Sequence, residues 1–350
     1  MKTEIVMIDK NNIDIKKIRY CAEVLKVGGL VAFPTETVYG LGANALDEKA
    51  VKSIFEAKGR PSDNPLIVHI SDKDKLKGLV SDIPPEALAL TDRFWPGPLT
   101  VILRKSALVP ATITAGLDTV AVRMPSHPVA LALIKESGLP VAAPSANTSG
   151  KPSPTNAKHV IDDLLGKVDV IIDAGISKIG LESTVLDLTT DPPTVLRPGG
   201  ITLKQLKSVI PGIEIEPLLL SKPDRNYRPK SPGMKYTHYS PKADVVIIEG
   251  NLAEVIEKIL GLAEEYAIKG KSVGILATEQ TKELYGGQEV ISLGDRDKPE
   301  TIAANLFWAL REFDGKKVDV ILAEGIDYAG IGLAVMNRMN KAAGYNIIKV

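Results

Sequence analysis

The chain has 350 residues, and its 43 Lys and Arg balance 43 Asp and Glu, which argues against a uniformly basic nucleic-acid-binding protein. Its single cysteine, Cys21, excludes an intramolecular disulfide and a multi-cysteine metal site, and it suits a reducing compartment. No apolar run reaches the length of a membrane span, and the opening MKTEIVMIDKNN lacks the apolar segment of a signal peptide. We therefore expect a cytoplasmic protein that does not enter a membrane.

Residues 1–216 are predicted to form one α/β domain. Apolar, β-branched stretches predict strands, and amphipathic stretches predict helices near 47–57, 84–93, 127–136 and 155–165. Several strands follow each other with no helix between them, which indicates a twisted, open, mixed sheet. The predicted strands are LVAFP, PLIVHI, LTVILRK, TVAVRMP, PVAAPS, DVIIDAG, STVLDL and TVLRPG.

Polar residues lie where the first predicted strand ends. The segment PTET over 34–37 follows LVAFP and precedes the glycine pair of GLG over 40–42 and a predicted helix. Polar side chains beside permissive glycines can face a ligand in the crevice of an α/β sheet. A plain strand-to-helix turn with capping threonines explains the same pattern equally well.

Charged residues mark the next strand ends. Lys58 and Arg60 flank Gly59, and two cations so placed suit a phosphate, although a solvated charged loop is the alternative. His69 lies near the end of PLIVHI and is either a ligand-binding residue or a satisfied core histidine. Arg123 ends the strand of TVAVRMP, and its burial would require an acidic side chain or a substrate carboxylate as partner.

Further hydroxyl, amide and guanidinium groups follow the same rule. Ser145 and Asn147 come after PVAA, Ser183 begins STVLDL, and Arg197 ends the strand of TVLRPG. Each cluster alone is commonplace in turns. Five of them in one domain predict one crevice that binds an anion, a carboxylate and a nucleobase. The four histidines have no metal-ligand spacing, so we do not expect a metal held by protein ligands alone.

Residues 217–242 are predicted to be a linker, since they show neither helical nor strand periodicity. The stretch 221–243 holds six Lys or Arg against Asp224 alone, with tyrosines and a histidine between them. This local charge of +5 offsets a charge of −5 over residues 243–350, whereas residues 1–220 are neutral. A linker explains the prolines of this segment but not its basic and aromatic residues.

Residues 243–350 are predicted to form a second, smaller domain. Apolar β-branched runs alternate there with helical stretches near 252–268, 279–285, 299–313 and 330–342. This alternation is typical of βαβ units and predicts a Rossmann-like parallel sheet.

In order along the chain, these motifs resemble the YrdC-type domain family, and specifically its longer Sua5 subgroup with a C-terminal domain. The resemblance rests on FPTETVYGLG, the K-x-R pattern of Lys58 and Arg60, the S-x-N pattern of Ser145 and Asn147, ESTV, LRPG and SPGMKYTHYSP. No motif is diagnostic alone, but the ordered set is specific and spans the whole chain. The resemblance implies a large domain with a twisted open mixed sheet and a small parallel α/β domain.

The resemblance also implies a reaction. Members of this family make L-threonylcarbamoyl-AMP and pyrophosphate from ATP, L-threonine and bicarbonate, an early step of N6-threonylcarbamoyladenosine modification at tRNA position 37. The chain would then be a nucleotidyltransferase whose product passes to a downstream threonylcarbamoyl transferase machinery and so indirectly to tRNA. Mg²⁺ carried mainly by ATP phosphates is expected. An RNA-binding module acting in tRNA or rRNA maturation is the alternative, and a neutral first domain argues against its basic groove.

Site roles follow from matching this family to the motifs. Lys58 and Arg60 are expected to act in catalysis. Residues expected around L-threonine are Thr35, His69, Arg123, Ala143 through its backbone, and Ser183. Residues expected around ATP are Lys58, Ser62, Thr119, Ser145, Asn147, Ser153, Arg197, His238 and Tyr239. The segment with Ser231, Gly233 and Lys235 is expected to close over the nucleotide and exclude water.

Overall fold

The computed structural model describes residues 2–220 and 239–350, so the part of the linker over 221–238 lies outside it. The described chain divides into two compact units, the first formed mainly by residues before 220 and the second mainly by residues after 238. Gly150–Pro152 group with the second unit. The domain boundaries expected from the sequence stay predictions, because the segment that would carry them is largely outside the described residues.

The described strands of the first unit form an eleven-stranded mixed sheet, as predicted. The strands are β1 (Glu4–Met7), β2 (Val31–Phe33), β3 (Gly40–Asn44), β4 (Ile67–His69), β5 (Leu99–Arg104), β6 (Thr119–Arg123), β7 (Val141–Ala142), β8 (Val170–Asp173), β9 (Thr184–Asp187), β10 (Thr194–Arg197) and β11 (Glu214–Ile215). Their order across the sheet is β1-β8-β2-β3-β7-β4-β6-β5-β9-β10-β11. Parallel and antiparallel pairs both occur, with three antiparallel pairs in succession from β2 to β4, and strands distant in sequence, such as β7 and β4, are neighbours near the middle of the sheet.

Helices cover both faces of this sheet. They are α1 (Ile15–Lys26), α2 (Glu48–Lys58), α3 (Leu76–Leu79), α4 (Pro85–Phe94), α5 (Ala111–Thr114), α6 (Pro128–Ser137), α7 (Ala157–Leu164) and α8 (Leu203–Lys207). One core packs α1 and α6 against β2 and β8, and a larger core lies under α2, α4 and α7. Burial of these apolar faces is the main source of stability for the scaffold.

The second unit has the parallel sheet that the sequence predicts. Its strands are β12 (Asp244–Glu249), β13 (Val273–Ala277), β14 (Glu289–Ser292), β15 (Val320–Glu324) and β16 (Ile347–Lys349), in the order β14-β13-β15-β12-β16. Its helices are α9 (Leu252–Ile268), α10 (Pro299–Lys316) and α11 (Gly332–Ala342). The helix expected near 279–285 is a single 3-10 turn over Lys282–Leu284. Among all described helices, none is long and apolar enough to span a bilayer.

Candidate active site

A row of polar side chains crosses the middle of the first sheet. His69 on β4 pairs in register with Arg123 on β6, and Arg123 pairs with Thr100 on β5. Paired residues point to the same face of a sheet, so these three side chains share one face. Ile67 and Ile102, each two residues away from a member of this row on the same strand, belong to a small buried apolar cluster. The face therefore offers a polar row beside an apolar patch.

Arg123 has an acidic partner within the chain. Its side chain is 5% exposed, and Nη2 lies 2.7 Å from Oε1 of Glu36, whose side chain is 10% exposed. Nη1 donates to the hydroxyl of Thr37 at 2.9 Å. Of the two partners that burial of Arg123 required, the structure thus supplies the acidic side chain. The expected contact of Arg123 with the threonine carboxylate stays a prediction.

Glu36 and Thr37 lie in the loop between β2 and β3, which is held by its own hydroxyl groups. The Thr35 hydroxyl donates to the carbonyl of Val38 at 2.6 Å and lies 2.8 Å from Oγ1 of Thr37. Ser177 Oγ donates to the carbonyl of Thr35 at 2.9 Å. The sequence pattern drew attention to this loop but gave Glu36 no role, since its partner is 87 residues away.

His69 is buried and neutral. Burial, with the nearby charges of Arg123 and Arg197, lowers the pKa of His69 to about 3. Its Nδ1 lies 3.3 Å from the carbonyl of Ile67. His69 is buried, as a core histidine would be, but its neighbours are the cations Arg123 and Arg197 of the polar row. A neutral imidazole in this position can donate or accept one hydrogen bond without adding charge.

Ser183, directly before β9, and Arg197, at the end of β10, extend the polar row. Ser183 Oγ lies 2.7 Å from Oγ1 of Thr100, and Arg197 Nη2 donates to the same Oγ at 3.1 Å. Arg197 Nε also donates to the carbonyl of Ser183 at 3.1 Å. Beside them, Ser153 Oγ donates to Oε1 of Glu182 at 2.6 Å, a buried carboxylate to which the sequence gave no role.

Lys58 ties the end of α2 to the segment after β7. Asp47 caps the start of this helix, and Gly59 ends it with a φ of 60°, a left-handed conformation that favours glycine. The Lys58 ammonium is buried and donates to the carbonyls of Ser145 and Asn147, at 2.5 and 2.6 Å. The K-x-R and S-x-N patterns, far apart in sequence, therefore meet at one point.

The remaining expected residues are more widely placed. Arg60 Nη2 donates to the carbonyl of Asn64 at 3.2 Å, and Ser62 is exposed in the same loop. The backbone N–H of Ala143 donates to the carbonyl of Ile67 at 3.0 Å. Thr119 begins β6, at the opposite end of this strand from Arg123.

Two expected nucleotide contacts, His238 and Tyr239, belong to the predicted linker over residues 217–242. His238 lies outside the described residues, as do Ser231, Gly233 and Lys235. Tyr239 belongs to the second unit, where its ring stacks on Phe307 with the ring centroids 5.0 Å apart. The role assigned to each of these residues stays a prediction.

Comparison with known proteins gives the relationships of the whole chain. The family model described as "Telomere recombination" matches residues 23–199, and that described as "Threonylcarbamoyl-AMP synthase, C-terminal domain" matches residues 201–344. A threonylcarbamoyl-AMP synthase of Pyrococcus abyssi is 55% identical over 99% of both chains. The chain belongs to the Sua5 family of threonylcarbamoyl-AMP synthases. The Sua5 resemblance seen in the motifs is thereby confirmed.

Other members of the Sua5 family agree with this assignment. A threonylcarbamoyl-AMP synthase of Bacillus subtilis is 52% identical over the full length of both chains. The crystal structure of Pyrococcus abyssi Sua5 complexed with L-threonine matches with a TM-score of 0.95 and covers 99% of this chain and all of that one. The predicted fold class, a large mixed sheet with a second parallel sheet, is confirmed by this match.

Proposed function

We propose that this chain synthesises L-threonylcarbamoyl-AMP and pyrophosphate from ATP, L-threonine and bicarbonate. The observation that carries the proposal is the full-length similarity to enzymes of that name, one of them solved with L-threonine. The alternative of an RNA-binding module is not favoured, because it accounts for neither the threonine complex of that relative nor the neutral charge of residues 1–220.

The chemistry divides into two steps. L-threonine and bicarbonate first give an N-carboxylated threonine, and its new carboxylate then attacks the α-phosphate of ATP and expels pyrophosphate. The second step transfers a nucleotidyl group, so the chain is a nucleotidyltransferase on this proposal. Such a reaction needs positioned cations and an in-line approach rather than a protein nucleophile.

The described residues can meet these needs. Lys58 and Arg60 bring positive charge to the loop after α2, where a triphosphate would require it. Arg123, His69 and Ser183 supply a cation, a neutral ring and a hydroxyl in one row for the groups of threonine. Ser145 and Asn147 lie beside Lys58, where they would contact the nucleotide.

Mg²⁺ would enter this site with ATP. Among residues 2–220 and 239–350, no group of three His, Cys, Asp or Glu residues is arranged to hold a metal ion. The cations Lys58 and Arg60 suit the phosphates of ATP, and the oxygens of these phosphates, together with water, would be the ligands of the metal. When bound, Mg²⁺ would neutralise charge on the departing pyrophosphate. The downstream transfer to tRNA and the cytoplasmic location stay predictions.

The product itself tests this proposal. The full-length protein is incubated with ATP, Mg²⁺, L-threonine and ¹³C-bicarbonate, and the mixture is analysed by mass spectrometry. We expect an adduct of threonine, one labelled carbonyl and AMP, whose label is lost when unlabelled bicarbonate is used. Formation of threonyl-AMP without the labelled carbon would contradict the proposal.

A further inference from the structure

Glu36 has one carboxylate oxygen with no partner in the described structure. Oε1 accepts from Arg123, but Oε2 is buried and no hydrogen-bond donor reaches it among residues 2–220 and 239–350. Buried carboxylate oxygens are normally hydrogen-bonded, and leaving one without a donor costs free energy. An oxygen of this kind in a binding site indicates that a donor arrives with a ligand.

The charges around Glu36 indicate which donor suits it. Arg123 already neutralises the carboxylate through Oε1. His127, which interacts with Glu36 electrostatically, has its pKa lowered to about 4 by burial and is neutral near pH 7. A second cation at Oε2 would form a charge-assisted hydrogen bond, which is stronger than one from a neutral donor.

Among the proposed substrates, only L-threonine carries a cation, its α-ammonium group. The remaining charged groups of threonine, bicarbonate and ATP are anionic, so none of them brings a second positive charge to Oε2. We infer that Glu36 Oε2 binds the α-ammonium of L-threonine and accepts one of its protons. This inference rests on the proposed function and deepens it, since it names the group that prepares threonine for carboxylation.

The proton transfer completes the balance of the first step. The α-ammonium gives one proton to Glu36, and the freed nitrogen lone pair forms the new bond to the carbon of bicarbonate. The bond from that carbon to its hydroxyl group breaks, and the hydroxide leaves as water with a second proton from nitrogen. The products are the carbamate, water and a protonated Glu36, which returns its proton to solvent.

A matched pair of ligands tests the contact. The first ligand is L-threonine, and the second is 3-hydroxybutyrate of the same configuration, which keeps the carboxylate, hydroxyl and methyl groups but lacks the amino group. Binding of both to the full-length protein is measured by calorimetry. A charge-assisted hydrogen bond to Oε2 predicts that the wild type prefers L-threonine by roughly tenfold or more.

The variant Glu36→Gln keeps an oxygen for Arg123 and replaces Oε2 with an amide that donates. We expect the preference for L-threonine to fall to within about twofold, since the amide and the ammonium are both donors. Glu36→Asp retains a carboxylate and should restore part of the preference. Thr37→Val is the control for an indirect effect through a displaced Arg123 side chain. It removes the Thr37 hydroxyl that accepts a hydrogen bond from Arg123 but leaves Glu36 unchanged.

Each outcome has a distinct meaning. Loss of the preference in Glu36→Gln, with the preference kept in Thr37→Val, would support the inference. An unchanged preference in Glu36→Gln would overturn it and leave the proposed function standing, and an equal loss in both variants would also overturn it in favour of an indirect effect through Arg123. Failure of the wild type to bind L-threonine would overturn the proposed function together with the inference.

Discussion

His69 carries the clearest electrostatic signature at the scale of single residues. The pKa of His69 in the folded chain is about 3, below the value of about 6.5 for an exposed histidine. Between these two values the unfolded chain binds a proton that the folded chain does not, so acid favours unfolding. Above pH 6.5 neither state is protonated at His69, and its contribution does not change.

This sign gives a prediction for stability against pH. As the pH falls below 6.5, His69 should cost up to about 1.4 kcal/mol of unfolding free energy per pH unit, and His69→Gln should remove that part of the slope. This slope is measured by urea unfolding at a series of pH values. The proteins carry Trp308→Phe, so that the fluorescence of Trp95 reports on the first unit alone. Equal slopes for the two proteins between pH 6.5 and 4.5 would contradict the pKa shift.

The sequence predicts single residues of this site unevenly. The need of Arg123 for an anionic partner follows from one strand, because a buried guanidinium at a strand end is costly when unpaired. The identity of that partner, Glu36, depends on a contact across 87 residues that no local pattern encodes. Glu182 escaped prediction for the same reason, since its partner Ser153 is 29 residues away.

At the scale of elements, close backbone packing explains why position 199 of the LRPGG motif is a glycine. A Cβ atom at Gly199 would lie 2.4 Å from the carbonyl oxygen of Glu182 and 2.4 Å from the backbone N of Thr184. These are backbone atoms on either side of Ser183, so they cannot move aside as a flexible side chain would. The turn after β10 therefore packs directly on the start of β9 and sets the distance between Arg197 and Ser183.

The variant Gly199→Ala should separate these two segments. We expect it to weaken the contact of Arg197 with Ser183 and to lower the rate of pyrophosphate release by at least about tenfold, since a misplacement near 1 Å can lower a rate by about a hundredfold. Gly212→Ala is the control, because a Cβ there meets no atom within 4 Å. Wild-type rates in Gly199→Ala would show that the close packing does not position the site.

Elements were predicted best where they are regular. The central strands β12, β13 and β15 of the second unit read as continuous apolar runs because they belong to a parallel sheet and are buried on both faces. Strand β3 was missed because its GLG segment reads as a turn. Gly42 is nonetheless a strand residue there, with a Cβ position only 2.8 Å from the ring of Phe33, so the close packing of that ring requires glycine.

For the whole molecule, the net charge of zero is the sum of segments that differ in charge. Residues 1–220 are neutral, although they bring Lys58, Arg123 and Arg197 to buried positions with acidic or carbonyl partners. Such internal pairing suits a pocket for small anionic substrates better than a surface for nucleic acid. This charge distribution agrees with the proposed enzyme, in which the polar row of the first unit would join three small molecules.

Pyrophosphate release from ATP tests this account most directly. The full-length protein is assayed with Mg²⁺ and ATP, with L-threonine and bicarbonate supplied together, singly and not at all. The account predicts release only when both are present, because the attacking carboxylate is formed from the two. Release with L-threonine alone in bicarbonate-depleted buffer, or no release when both are supplied, would contradict it.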